Sequence, residues 1–145
     1  MIEETTIVTT LTNEFRKTIA SIILFNDQVV TQTGMSHSAM QSLHLLQMHG
    51  PLSPGRLAGL TGLTSGAVTA VVDSLEAMGL VSRERHATDR RRVVIVANEG
   101  RIYAAFGQYY TAQGEHLSKT LAAFTPAELE VMAKFFEHLN AENVS

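Results

Sequence analysis

The sequence predicts a mainly α-helical fold with one small β-hairpin, and three observations predict it. Apolar residues recur at helical spacing along most of the 145 residues. That period breaks once, around two short β-branched runs, Leu80-Val81 and Val93 to Val96. An arginine-rich stretch containing Thr88-Asp89 separates the two runs, as the charged tip of a hairpin would.

The first helix is expected from about Leu11 to Thr31. Leu11, Phe15, Ile19, Ile22 and Val29 share one face, which Ile23, Leu24, Phe25 and Val30 widen. So broad an apolar surface on a terminal helix needs a partner. Thr33-Gly34 ends it. Ser36 caps a second helix carrying Met40, Leu43, Leu46 and Met48, which stops at Gly50-Pro51. Ser53-Pro54 is a start signal, a capping hydroxyl followed by proline at the first helical position. The short helix after it holds Leu57, Ala58 and Leu60 and ends at Thr61-Gly62. A fourth helix begins near Thr64 or Ser65, buries Val68, Val71, Val72, Leu75 and Met78, and closes at Gly79. After the hairpin, Asn98 to about Thr120 reads as a helix with Ile102, Phe106 and Leu117 on one side. Thr125-Pro126-Ala127-Glu128 is a capping box, and the last helix carries Leu129, Met132 and Leu139.

Composition narrows the class. The chain has no cysteine, which excludes disulfides, thiolate metal sites and cysteine redox switches, and fits a reducing compartment. The N-terminus opens with two glutamates and lacks a basic segment followed by a long apolar one, so no export signal is expected. Ile19 to Val30, the longest apolar candidate, is interrupted by Ser21 and Asn26-Asp27-Gln28 and falls short of a membrane span. A cytoplasmic protein without membrane contact is the expectation. The net charge of −3 hides an asymmetry: Arg83, Arg85, Arg90, Arg91 and Arg92 against Glu84 and Asp89 make that stretch +3. A local basic patch on an acidic chain is a footprint for a phosphate backbone, or else a solvated charged turn.

Pro54 to Val96 carries the function. Two short helices joined through Thr61-Gly62-Leu63 form a helix-turn-helix candidate, in which Gly62 accepts a left-handed backbone. Small Ala58 allows the second helix to approach the first, and Val68 and Val71 point inward. A hairpin follows directly, as in a winged helix, where wing arginines reach the minor groove while the second helix lies in the major groove. The segment LSPGRLAGLTGLTSGAVTAVVDSLEAMGLVSRERHATDRRRVVI, followed by the glycine of ANEG, resembles the MarR family of bacterial winged-helix regulators. Asp89-Arg90-Arg91 matches that family's wing motif of Asp, any residue, Arg.

The resemblance implies a single domain over 1–145, with a DNA-binding lobe at about 36–98 and dimerisation helices at about 10–32 and 99–142. It implies a homodimer on a palindromic operator, acting as a ligand-responsive repressor. Arg91 takes the place of the wing arginine, Asp89 would orient it by a charge-assisted hydrogen bond, and Arg90 and Arg92 would meet phosphate or stay solvated. Ser65, Gly66 and Thr69 match the exposed recognition face, and Arg56 and Arg83 join the candidate DNA contacts. Two positions depart from the family: Ala70 stands where many members have arginine, and Ala97 where many have a capping threonine, leaving Asn98 to cap one residue later. The recognition face (Ser65, Gly66, Thr69, Ala70, Asp73) therefore lacks Arg, Lys, Asn and Gln, the side chains of bidentate base contacts.

Other readings remain open. Tyr103, Phe106, Tyr109 and Tyr110 either line a pocket or fill a core. His44, Phe106 and Tyr109 are the candidates for contacting a small aromatic effector. The histidines His37, His44, His49, His86, His116 and His138 show no HxxxH spacing, so neither a metal site nor a cofactor is expected. No Gly-rich phosphate loop, GxSxG or HExxH points to an enzyme. The alternatives to a DNA-binding regulator are a winged-helix protein-interaction module and a metal-responsive regulator of the same fold.

Overall fold

The computed structural model describes residues 2–142. The elements are α1 (Ile2–Thr33), α2 (His37–His49), α3 (Pro54–Thr61), α4 (Ser65–Ala77), β1 (Val81–Arg85), β2 (Val93–Ala97), α5 (Glu99–Leu121) and α6 (Pro126–Glu142). The expected helical fold with a single antiparallel hairpin is what forms. The chain divides into two compact units, Met1–Ile102 and Tyr103–Ser145, with the boundary inside α5.

Local capping sets the helix starts in the first unit. The hydroxyls of Ser36, Ser53 and Thr64 accept from the N–H groups of Ala39, Arg56 and Ala67 at 3.1, 3.1 and 3.2 Å. Asn98 does the same for α5, its Oδ1 accepting from Arg101 N–H at 3.1 Å, so the alanine at 97 is offset one residue later. Each such cap contributes about 1 kcal/mol. Gly62, at φ 71°, ends α3 in the left-handed region and donates its N–H to Ala58 O. Gly79, at φ 73°, turns the chain from α4 into the hairpin.

The core of this unit lies among α2, α3, α4 and the hairpin. Leu57, Leu75 and Ile95 are 0% exposed, and Leu46, Val68, Val72 and Leu80 are nearly so. The hairpin is fastened to the helices by main chain as well as side chains. Leu52 N–H donates to Ile95 O at 3.1 Å and Ile95 N–H returns to Leu52 O at 2.7 Å.

Four local expectations need correction. The first helix begins at Ile2 rather than near Leu11. In its polar opening the hydroxyls of Thr9, Thr10 and Thr12 turn back onto the helix and donate to carbonyls four residues earlier. Strand β1 extends through Ser82-Arg83-Glu84-Arg85, paired from Val81↔Ala97 to Arg85↔Val93, although these polar residues read as a turn. Met78 was expected in the core but is 40% exposed, because it caps α4 where the chain swings away at Gly79. Met48 lies on the outer side of α2 and is exposed.

Along α1 the two ends differ. Val29 is buried against the rest of the unit, whereas Leu11, Phe15, Ile19, Ile22, Ile23 and Leu24 are exposed. In the second unit, the capping box forms reciprocally: Thr125 N–H donates to Glu128 Oε2 at 2.7 Å and Glu128 N–H to Thr125 Oγ1 at 3.4 Å. The Thr125 N–H and hydroxyl hold the Glu128 carboxyl below its usual range. Phe135 and Phe136 meet edge to face at 5.3 Å, and both are exposed together with Val131. Among the described residues, no helix is long and apolar enough to cross a membrane.

Candidate nucleic-acid interface

Val68, Val72 and Leu75 bury one side of α4, which leaves the opposite side to solvent. Ser65, Gly66, Thr69, Ala70 and Asp73 are all exposed there. The Thr69 hydroxyl donates to Ser65 O at 3.0 Å, so outward it offers oxygen lone pairs rather than its proton. Arg56 is exposed in the first turn of α3, directly after the Ser53 cap.

The hairpin tip, residues 86–92, is organised by its own hydrogen bonds. His86 N–H donates to Arg92 O at 2.8 Å, and Arg92 N–H donates to Asp89 O at 3.0 Å. Within that ring His86 Nδ1 accepts from the N–H groups of Thr88 and Asp89, both at 3.3 Å. Arg85 Nη1 spans the tip to Arg90 O at 3.1 Å. Asp89 acts differently from the expectation that it orients the Arg91 guanidinium. Its Oδ1 accepts from the Arg91 main-chain N–H at 3.1 Å. A short carboxylate two residues upstream reaches the backbone and closes an Asx-type turn. Arg90, Arg91 and Arg92 are exposed, and none of them has an ion-pair partner among the described residues.

Arg83 belongs to a different environment, although the sequence groups it with the tip. It pairs with Ile95 in the register, on the hairpin face that also carries buried Val81. Its Nη2 lies 2.6 Å from Asp73 Oδ1 and its Nη1 2.6 Å from Glu76 Oε2. The hydrogen bond it donates to Asp73, then the one it donates to Glu76, raises the pKa of the guanidinium against the opposing effect of desolvation. The roles of His86 as organiser of the tip and of Asp73 and Glu76 as partners of Arg83 were missed in the sequence. The only hint was the i, i+3 spacing of two acids just ahead of an arginine.

A cleft of about 350 Å³ opens between α1 and α2, lined by Ile23, Asp27, His37, Met40 and His44 among others. His37 Nε2 lies 2.7 Å from Asp27 Oδ1, joining the two helices. Burial lowers the pKa of His44 from its ordinary 6.5. Of the effector candidates, His44 lines this cleft, while Phe106 is buried on α5 and Tyr109 is half-buried there. Among the described residues, no group of three or more His, Cys, Asp or Glu could hold a metal ion.

Comparison with known proteins bears on this arrangement. Residues 29–92 match the sequence model of the MarR family. A curated relative, the uncharacterized HTH-type transcriptional regulator YcgE of Bacillus subtilis (strain 168), is 43% identical over 82 residues, which are 57% of this chain and 53% of the relative. The chain thus spans about half the length of the curated relative it matches. A MarR family protein from Bacillus stearothermophilus superposes with a TM-score of 0.68 at 22% identity, covering 95% of this chain and 96% of that one. A mutant MepR from a multidrug-resistant S. aureus clinical isolate gives 0.72 at 21% identity, over 90% and 95% of the two chains. Residues 29–92 thus match the sequence pattern of the MarR family, and the chain shares the winged-helix fold of these solved structures over nearly its whole length.

Proposed function

We propose that the protein is a sequence-specific double-stranded DNA-binding transcriptional regulator, acting as a homodimer on a palindromic operator as a repressor. The observation that carries this reading is the pairing, within one compact unit, of the open face of α4 with a hairpin tip bearing three arginines that have no ion-pair partner among the described residues. Helix α4 enters the major groove, Arg91 reaches the minor groove, and Arg90, Arg92 and Arg56 meet phosphates. The α4 face carries hydroxyl, methyl and backbone groups but no bidentate donor. Specificity therefore leans on groove width and deformability, with Ser65, Gly66 and Thr69 making close contacts. The exposed apolar stripe of α1 and the exposed phenylalanines of α6 support a two-fold dimer, in which a second copy would cover them. A small aromatic effector in the cleft beside His44 would release DNA by binding the DNA-incompetent arrangement more tightly.

Selection of bound fragments from random duplex DNA tests the reading. A palindrome with half-sites about one helical turn apart is the expected product. Arg91→Ala should weaken binding to it and lower the salt slope by about one unit. Unchanged affinity and unchanged site preference in that variant would remove the wing from the interface. Binding that is indifferent to salt would favour the protein-interaction module instead.

A further inference from the structure

The sequence counts five arginines in the hairpin region, and the structure separates one of them from the rest. Arg83 sits mid-strand on the inner face, and its planar fork grips two carboxylates one helical turn apart on α4, each at 2.6 Å. We propose that Arg83 is a positioning residue: it locks the hairpin to α4 so that the arginine tip and the recognition face keep one fixed geometry, and it makes no phosphate contact itself. The inference rests on the DNA-binding reading above and corrects the place of Arg83 among the expected DNA contacts.

Three features support it. Both ends of the guanidinium are already occupied, so contact with a phosphate would require breaking a bond at 2.6 Å to a carboxylate. The main-chain bonds of Leu52, Leu80 and Ile95 and the buried Val81 hold the base of the hairpin, and Arg83 adds a side-chain tie from β1 to α4 on the side of that base nearer the tip. Arg83 is 33% exposed, and ion pairs at such sites add little to global stability. Its removal should therefore loosen a geometry without unfolding the chain. The fork also explains why Asp73, an acid on the face turned to DNA, is tolerable: its charge is answered from behind.

The test uses the full chain and compares Arg83→Met, Arg83→Lys and Arg91→Met. Binding to a labelled random-sequence duplex about three helical turns long is measured across a salt series. Amide hydrogen exchange is measured without DNA. Arg83→Met should bind about fivefold more weakly with the wild-type salt slope, whereas Arg91→Met should lose about one unit of slope. Amides of residues 86–92 should exchange about tenfold faster in Arg83→Met. Arg83→Lys keeps the charge but not the fork, and should retain most of that acceleration. A slope reduced by one in Arg83→Met would make Arg83 a phosphate contact and overturn the proposal. Unaltered exchange at the tip, or full recovery by lysine, would overturn it as well. If Arg91→Met changes neither affinity nor slope, the DNA-binding reading fails separately, and the exchange data still decide whether the lock exists.

Discussion

The N-terminal two-thirds of α1 and the helices of the lobe are written in the same apolar periodicity, yet they end in opposite environments. Leu57 and Leu75 vanish from solvent, while Leu11, Ile19 and Ile22 stand in it. A hydrophobic stripe fixes which face must be covered, not what covers it. In the lobe, neighbouring elements of the same chain supply the cover. On α1, residues that recur at three- and four-residue spacing wait for a surface from elsewhere, and a contiguous patch of that kind is rarely left open in a monomer.

The contrast can be broken at either end. The largest effect is expected from Ile19→Glu combined with Ile22→Glu. In the proposed homodimer each substitution enters a symmetric interface twice, so the dimer dissociation constant measured by sedimentation should rise by at least about 100-fold. The helix content of the resulting monomer should survive. Leu75→Ala tests the lobe and should reduce unfolding free energy in a denaturant titration by about 2–5 kcal/mol, because it opens a cavity where exposure is zero. Phe15→Ala, by contrast, should leave the stability of the isolated chain nearly unchanged. Ser53→Ala removes a cap at a position half in solvent and should cost about 1 kcal/mol in the same titration.

Two smaller effects sharpen the picture of α2. The Ser42 hydroxyl is buried without a hydrogen-bond partner among the described residues. Ser42→Ala should therefore stabilise the protein, by up to about 1 kcal/mol. Burial lowers the pKa of His44, so the folded state takes up its proton less readily than the unfolded chain. Stability should consequently be unaffected by His44 above its ordinary pKa of 6.5 and fall as the pH drops below it. His44→Gln should flatten that part of the stability profile.

What could be read from the sequence follows the range of the forces involved. The caps at Ser36, Ser53, Asn98 and Thr125 were legible because each is a side chain meeting a backbone group three residues on. The wing motif was legible as a string, but the use of Asp89 was not. Whether its carboxylate takes the guanidinium or the main-chain N–H of Arg91 depends on the turn that His86 helps close. The length of β1 escaped because its ladder partners are 8 to 16 residues away and its outward side chains are polar. Arg83 looked like its neighbours at the tip until strand register turned it inward, toward acids on a different element. Periodicity reports one element at a time, and register is a property of two.

The joint at Gly79 and Leu80 also limits what can change beside it. Leu80 is held on both flanks, its N–H donating to Leu75 O and its carbonyl accepting from Asn98 N–H, so an inserted residue there would swing the hairpin off its bearing. The loop between the strands is closed by its own hydrogen bonds, so a change there is felt at the tip rather than at the joint. A substitution in the loop therefore alters what the hairpin presents, whereas an insertion at the joint alters where it points.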